Sequence, residues 1–289
     1  MKTIKKNSQH FLFLLFSIVL ILMWGVIYND ALIHMVTVWS QSESYKHCFF
    51  VPIIVAYLIY EKREQLSFSQ CKPVWWLAFP LFVGQIVYSL VSELDINILM
   101  HVSAYLSLVI LIWSLIGHRQ ARVILFPLLY LGLSVPAGEQ LVPFLQSVTA
   151  DLSVGMLQMV QIPVYREGLY IYLPNGTFHV AEACAGAWFL IGTFAIGVLL
   201  AYLYYQKIGK RIAFILFCAV VPVLANGVRA FGIMVIGYIS DMKYATGADH
   251  LIYGWFFFAF VTVLIFVVGM VGNDKAPVLS APVEGKERM

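Results

Sequence analysis

Long apolar runs recur along most of this chain, separated by short polar stretches. They fall at residues 11–28, 49–60, 74–91, 97–117, 123–135, 185–205, 212–239 and 251–272, a pattern that predicts about eight transmembrane helices. A helix needs roughly 20 apolar residues to cross hydrocarbon, and two of the runs are shorter. The run at 49–60 is expected to begin nearer Glu43. The run at 123–135 contains Pro127 and stops at Pro136, so it is expected to span only in part or to be extended by the next segment. Lys2, Lys5 and Lys6 precede the first run as in a signal peptide. Its apolar core is too long, however, and no small-residue cleavage site follows, which predicts an uncleaved first span.

The longest stretch without such a run, residues 136–183, has patterns of its own. Leu141, Leu145, Val148, Leu152, Met156 and Met159 recur near helical spacing, with Gln146, Thr149, Ser153 and Gln161 largely elsewhere on the wheel. This predicts an amphipathic helix over 141–161, lying in the interface or packed on the bundle and ended by Pro163. Next, Asn175-Gly176 stands between two β-prone runs, the strongest short-range hairpin signal, because both central residues of that turn need positive φ. The second strand of the hairpin leads directly to Cys184. Asn175-Gly176-Thr177 also fits a glycosylation acceptor pattern, to which the tight turn is preferred.

Composition fixes the class. Only 11% of residues are charged and 61% are hydrophobic, against roughly a quarter charged in soluble domains. The chain is therefore read as an all-α polytopic membrane protein with a small outward-facing amphipathic helix and β-hairpin. It forms one domain over residues 1–272, with a polar tail at 273–289 expected to be disordered. Of the 18 Lys and Arg residues, Lys46, Arg166 and Lys243 fall in one set of loops, Arg229 falls in a span, and the remaining fourteen fall in the opposite loops. Positive charge gathers on the cytoplasmic side. Both termini are then inside, and the stretch 136–183 is outside. Four cysteines, at 48, 71, 184 and 218, have no metal-ligand spacing. No phosphate loop or metalloprotease helix motif occurs, so no cofactor, metal or nucleic-acid partner is expected.

Three polar groups sit where a passive bundle has little use for them. Arg229 lies within an apolar run, which costs about 2.5–3.5 kcal/mol on insertion scales and marks a candidate functional site. It is roughly 27 Å along the helix from the basic cluster Lys210-Arg211, near the outer interface. Pro222, Asn226 and Gly227 just before it predict a kinked or opened helix, with Asn226 one turn away to hold it. His250 begins the last span from outside, and Cys184 begins the sixth span, also from outside. A thiolate, a histidine and an arginine at one depth suit acyl transfer. The sulfur attacks a carbonyl, the imidazole moves the proton, and the guanidinium favours the thiolate or steadies the oxyanion. Asn226, Glu182 and His47 are supporting candidates, and His47 and His179 are rival bases. In a regular strand His179 points away from Glu182 and Cys184. On spacing alone Cys184 reads equally as a small packing residue or as half of a disulfide with Cys48. Arg229 reads equally as a snorkelling or substrate-ion residue of a transporter.

At these residues the chain resembles the exosortase family of multispan bacterial membrane enzymes. The resemblance is carried by Tyr45-Lys-His-Cys-Phe-Phe-Val-Pro52, Pro163-Val-Tyr-Arg-Glu-Gly168 and Leu173-Pro-Asn-Gly-Thr-Phe-His-Val-Ala-Glu-Ala-Cys-Ala-Gly186. It continues through Asn226-Gly-Val-Arg229 and Asp249-His-Leu-Ile-Tyr-Gly-Trp255. The resemblance implies Cys184 as nucleophile with Arg229 and His250 as partners. The implied substrates are exported proteins ending in a Pro-Glu-Pro motif, a transmembrane helix and a basic tail. It further implies an inner-membrane enzyme of Gram-negative bacteria, linked to exopolysaccharide export, which converges on Gram-positive sortases in its Cys, His and Arg. This chain departs from the family pattern at Ala185, where a serine is usual, and at Cys48, where a glycine is common. The reading set against the enzyme is a non-enzymatic transporter or assembly component for envelope polysaccharide.

Overall fold

The computed structural model describes the backbone at residues 2–66, 71–243 and 248–274, and side chains at 12–66, 71–243, 254 and 256–274. Among the described residues ten α-helices follow in order: α1 (Lys2–Ile27), α2 (Asn29–Gln41), α3 (Phe50–Glu61), α4 (Ala78–Glu93), α5 (Asn97–Val123), α6 (Leu125–Tyr130), α7 (Val142–Met159), α8 (Ala187–Tyr204), α9 (Ile208–Ile239) and α10 (Ala248–Val271). Three short strands, β1 (Tyr165–Glu167), β2 (Tyr170–Leu173) and β3 (Gly176–His179), lie between α7 and α8. The helices and strands group into two compact units, residues 1–142 and 143–289.

Four helices among the described residues are long and apolar enough to cross a membrane: Trp75–Glu93, Asn97–Val123, Glu182–Tyr204 and Ile208–Ile239. The number rises to six if Leu12–Ile27 with Asn29–Gln41, and Leu125–Ser134 with Glu139–Met159, each form one broken span. The described residues thus support four to six spans where the apolar runs predict about eight. The run at 49–60 forms only the 12-residue α3, and the described apolar part of α10 is Phe256–Val271. The chain is a multi-pass membrane protein.

In the first unit, α1 bends by 70° into α2, a helix the hydropathy pattern does not predict. Tyr28 and Ala31 at the bend pack with Tyr88, Val91, Met100 and Ala104. Two pairs of polar side chains meet inside this unit: Trp24 Nε1 donates to Ser107 Oγ at 2.8 Å, and the His34 and His101 rings meet at 3.0 Å.

In the second unit, α8, α9 and α10 close around Leu200, Ala201, Tyr205, Phe214, Cys218, Val261 and Ile265. A second cluster joins α7, α9 and the sheet through Ala150, Leu157, Ile171, Leu173, Val180 and Met234. The sheet is an antiparallel meander in the order β1-β2-β3. Its alternation puts Ile171 and Leu173 inside and Tyr170 and Tyr172 outside, as period-2 strands do.

Two expectations are corrected here. The hairpin is present, but Leu173 pairs with Gly176, so Pro174-Asn175 form the loop and neither Asn175 nor Gly176 has positive φ. Pro174 explains the shift. An Asn175-Gly176 loop would put Pro174 in the ladder without an N–H to donate, whereas a leading loop position suits its fixed φ. Asn175 is used instead as an anchor, its Nδ2 donating to Tyr238 O at 2.6 Å. Second, α9 is not opened at Asn226-Gly227 but stays helical from Ile208 to Ile239. Gly227 serves close packing, because a Cβ there would sit 2.8 Å from Leu152 on α7.

The amphipathic helix forms as α7, with its polar stripe turned inward. Gln146, Thr149 and Ser153 are buried, while Phe144 is 65% and Met159 83% exposed. In lipid, apolar side chains face outward at little cost, and small polar residues between helices hydrogen-bond to one another.

Candidate active site

Cys184 closes a short 3-10 turn, Glu182–Cys184, between β3 and α8. The turn is held by its own backbone, Cys184 N donating to Ala181 O at 2.9 Å and Ala185 N to Glu182 O at 3.0 Å. Gly186 then takes φ +76° and α8 begins at Ala187, a left-handed step that glycine makes without a Cβ penalty. Cys184 is half-buried against the cluster that joins α7, α9 and the sheet. Ala185 is only 2% exposed, so its methyl occupies an interior position where a serine hydroxyl would need a partner.

From the opposite side comes α9. Asn226 is buried, and its Nδ2 donates both to Cys184 O at 2.9 Å and to Thr149 Oγ1 at 3.0 Å. One turn later Arg229 is 5% exposed and lies within electrostatic reach of Cys184. Its guanidinium carbon sits 5.5 Å from the centre of the Phe189 ring. Nε and Nη2 are buried without a hydrogen-bond partner among the described residues. A buried cation left this way is costly, and donors of this kind suit an oxyanion that forms only during reaction. A third element, α10, approaches at Gly254, where a Cβ would lie 3.0 Å from Arg229 Nη1.

A family model for transmembrane exosortases matches residues 39–267, most of the chain and all of this site. The chain belongs to the transmembrane exosortase family. No curated protein and no solved structure matches it. Exosortases are, as a family, cysteine-type membrane transpeptidases or peptidases.

The exosortase brings Cys184, Asn226 and Arg229 together. His250 lies in the first turn of α10, one helical turn before Gly254; its side chain is outside the described residues. Glu182 is exposed on the turn that carries Cys184. His179 is exposed on β3, its ring 4.7 Å from that of Tyr170. His47 belongs to the first unit, in the 3-10 helix Glu43–Phe49. There Nδ1 faces Ser44 O at 3.1 Å, and burial holds its imidazole below the usual histidine range. No disulfide forms among the described residues, and Cys48 is fully buried beside the Leu133 carbonyl. The described residues hold no cluster suited to a metal ion.

Sequence reasoning missed Thr149, Gln146 and Gly254. The spacing of Gln146, Thr149 and Ser153 is visible in the sequence, but only their burial shows that the stripe faces the cysteine loop.

Proposed function

We propose that this exosortase is a membrane-embedded cysteine peptidase or transpeptidase that cleaves C-terminal sorting signals of exported proteins, with Cys184 as nucleophile. The observation that carries the reading is the buried Arg229, with unpartnered Nε and Nη2, within electrostatic reach of the half-buried Cys184. The steps follow the chemistry of thiols. Sγ loses its proton to His250 and forms a C–S bond to the scissile carbonyl, whose oxygen takes the negative charge facing Arg229. Collapse breaks the C–N bond, and the leaving amine takes the proton from His250. Water or an amine then attacks the thioester and releases the thiol, giving hydrolysis or transpeptidation.

The substrates are exported proteins with a C-terminal Pro-Glu-Pro motif, a transmembrane helix and a basic tail. The resemblance in the motifs around Cys184, Arg229 and His250 supports this class, together with a role beside exopolysaccharide and envelope export. The charge bias of the loops supports an inner-membrane enzyme with cytoplasmic termini and a periplasmic site.

The test is co-expression of the full chain with such a substrate. Cys184→Ala and Cys184→Ser abolish processing while the protein still inserts, and wild type shows a thioester at Cys184 by mass spectrometry. Unchanged processing in Cys184→Ala sinks the reading in favour of a transporter or assembly component.

A further inference from the structure

We propose that Thr149 on α7 is a positioning residue for Cys184, acting through Asn226; the proposal rests on the reading of Cys184 as nucleophile. Asn226 Nδ2 has two hydrogens, and both are used. One goes to the Cys184 carbonyl at 2.9 Å and the other to Thr149 Oγ1 at 3.0 Å. A backbone carbonyl only accepts, so the amide nitrogen must face Cys184 and the orientation of Asn226 is fixed. Thr149 holds that orientation from the far side. It is 1% exposed and cannot exchange its role with bulk water.

The chain around the nucleophile is laid against this amide. A Cβ on Gly186 would come within 2.5 Å of Asn226 Cγ, so the turn from Cys184 to Gly186 has no lateral freedom on that side. The neighbours of Thr149 on the same stripe grip the flanking backbone. Gln146 Nε2 donates to Val180 O at 2.8 Å, at the end of β3. Ser153 Oγ reaches Gly227 O at 3.4 Å, next to Asn226. One face of α7 therefore ties the strand that enters the cysteine turn and the helix that carries Arg229. Packing alone does not require a hydroxyl at 149, because valine has the same shape. Without it, one Nδ2 hydrogen of the buried Asn226 loses its acceptor and only the bond to the Cys184 carbonyl holds the amide, so the Cys184 peptide is held less firmly. Small displacements of a reacting group are expensive in rate, a 1 Å shift costing on the order of 100-fold.

The experiment compares Thr149→Val, Thr149→Ser and Asn226→Ala in the full chain. One readout is kcat and KM for cleavage of the substrate described above. The other needs no substrate: alkylation of Cys184 by iodoacetamide, followed by peptide mass spectrometry. Thr149→Val is expected to lower kcat by about 10- to 100-fold, with KM little changed, and to alter the alkylation rate of Cys184. Thr149→Ser recovers both. In the Asn226→Ala background Thr149→Val adds no further loss, a non-additivity that general destabilisation would not produce. Wild-type kcat and alkylation in Thr149→Val would overturn the proposal, as would full additivity with Asn226→Ala. Processing that survives Cys184→Ala removes the nucleophile reading instead, and the alkylation comparison still decides whether Thr149 fixes the cysteine turn.

Discussion

Asn226 on α9 donates a 2.9 Å hydrogen bond to the carbonyl of Cys184, so the turn bearing the candidate nucleophile is tied to the buried face of α9 one turn from Arg229. Asn226→Ala removes this bond and the one to Thr149 Oγ1. A buried group left unpaired costs about 1–3 kcal/mol. We expect the variant to insert, to unfold in detergent at lower temperature, and to lose more in kcat than in KM.

Gly186 offers a backbone test of the same turn. Its φ of +76° and the overlap of a Cβ with Asn226 both oppose a side chain. The left-handed conformation alone costs about 1–2 kcal/mol in an L residue. Gly186→Ala should lower the thermal midpoint and cleavage together. The contrast is Gly155 in α7, which has open space around it; Gly155→Ala should raise the midpoint, as alanine favours a helix interior by roughly 0.5–1 kcal/mol.

Gly254 lies against the arginine. A methyl there sits 3.0 Å from Arg229 Nη1, and the flexible end of the side chain yields more readily than backbone would. Gly254→Ala should therefore leave the melting profile nearly unchanged while lowering kcat at least several-fold. Unchanged turnover would show that the placement of Arg229 does not govern the reaction.

Cys48 should be inert in the folded protein. It is fully buried, and burial pushes its thiol up to about 12. The neutral form therefore prevails below that pH, and thiolate appears only as pH rises towards it. At pH 8 roughly one part in ten thousand is ionised, and only the thiolate is nucleophilic. Iodoacetamide at pH 8 should label Cys184 while Cys48 is labelled only after denaturation, as read by peptide mass spectrometry.

Asn175 holds the hairpin tip to the C-terminal end of α9 through its bond to Tyr238 O. Asn175→Ala should cost about 1 kcal/mol of stability. Limited proteolysis would then cut first in the β2–β3 loop, and cutting at wild-type rates would show that the bond adds nothing to the hairpin.

The sequence by itself determined that this is a helical membrane protein, because few charges and long apolar runs leave no other solvent for most of the chain. It also located α4, α5, α8 and α9 within a few residues, and it singled out Cys184, Asn226 and Arg229. Each is a polar group at a break or within an apolar run, a departure that hydropathy registers directly. Only the tertiary structure decided the rest. Hydropathy counts apolar length, so it does not see that α1 turns at Tyr28 into α2. Helical periodicity names two faces of α7 but not which is buried. The structure buries the stripe of Gln146, Thr149 and Ser153 together with Leu145, Ala150 and Leu157. The turn of the hairpin depended on a missing N–H at Pro174, which outweighed the Asn-Gly signal. Bonds between α7, α9 and the cysteine turn join residues far apart in sequence. Their formation depends on which helices pack, and that is decided by close approach at glycines such as Gly227 rather than by any local pattern.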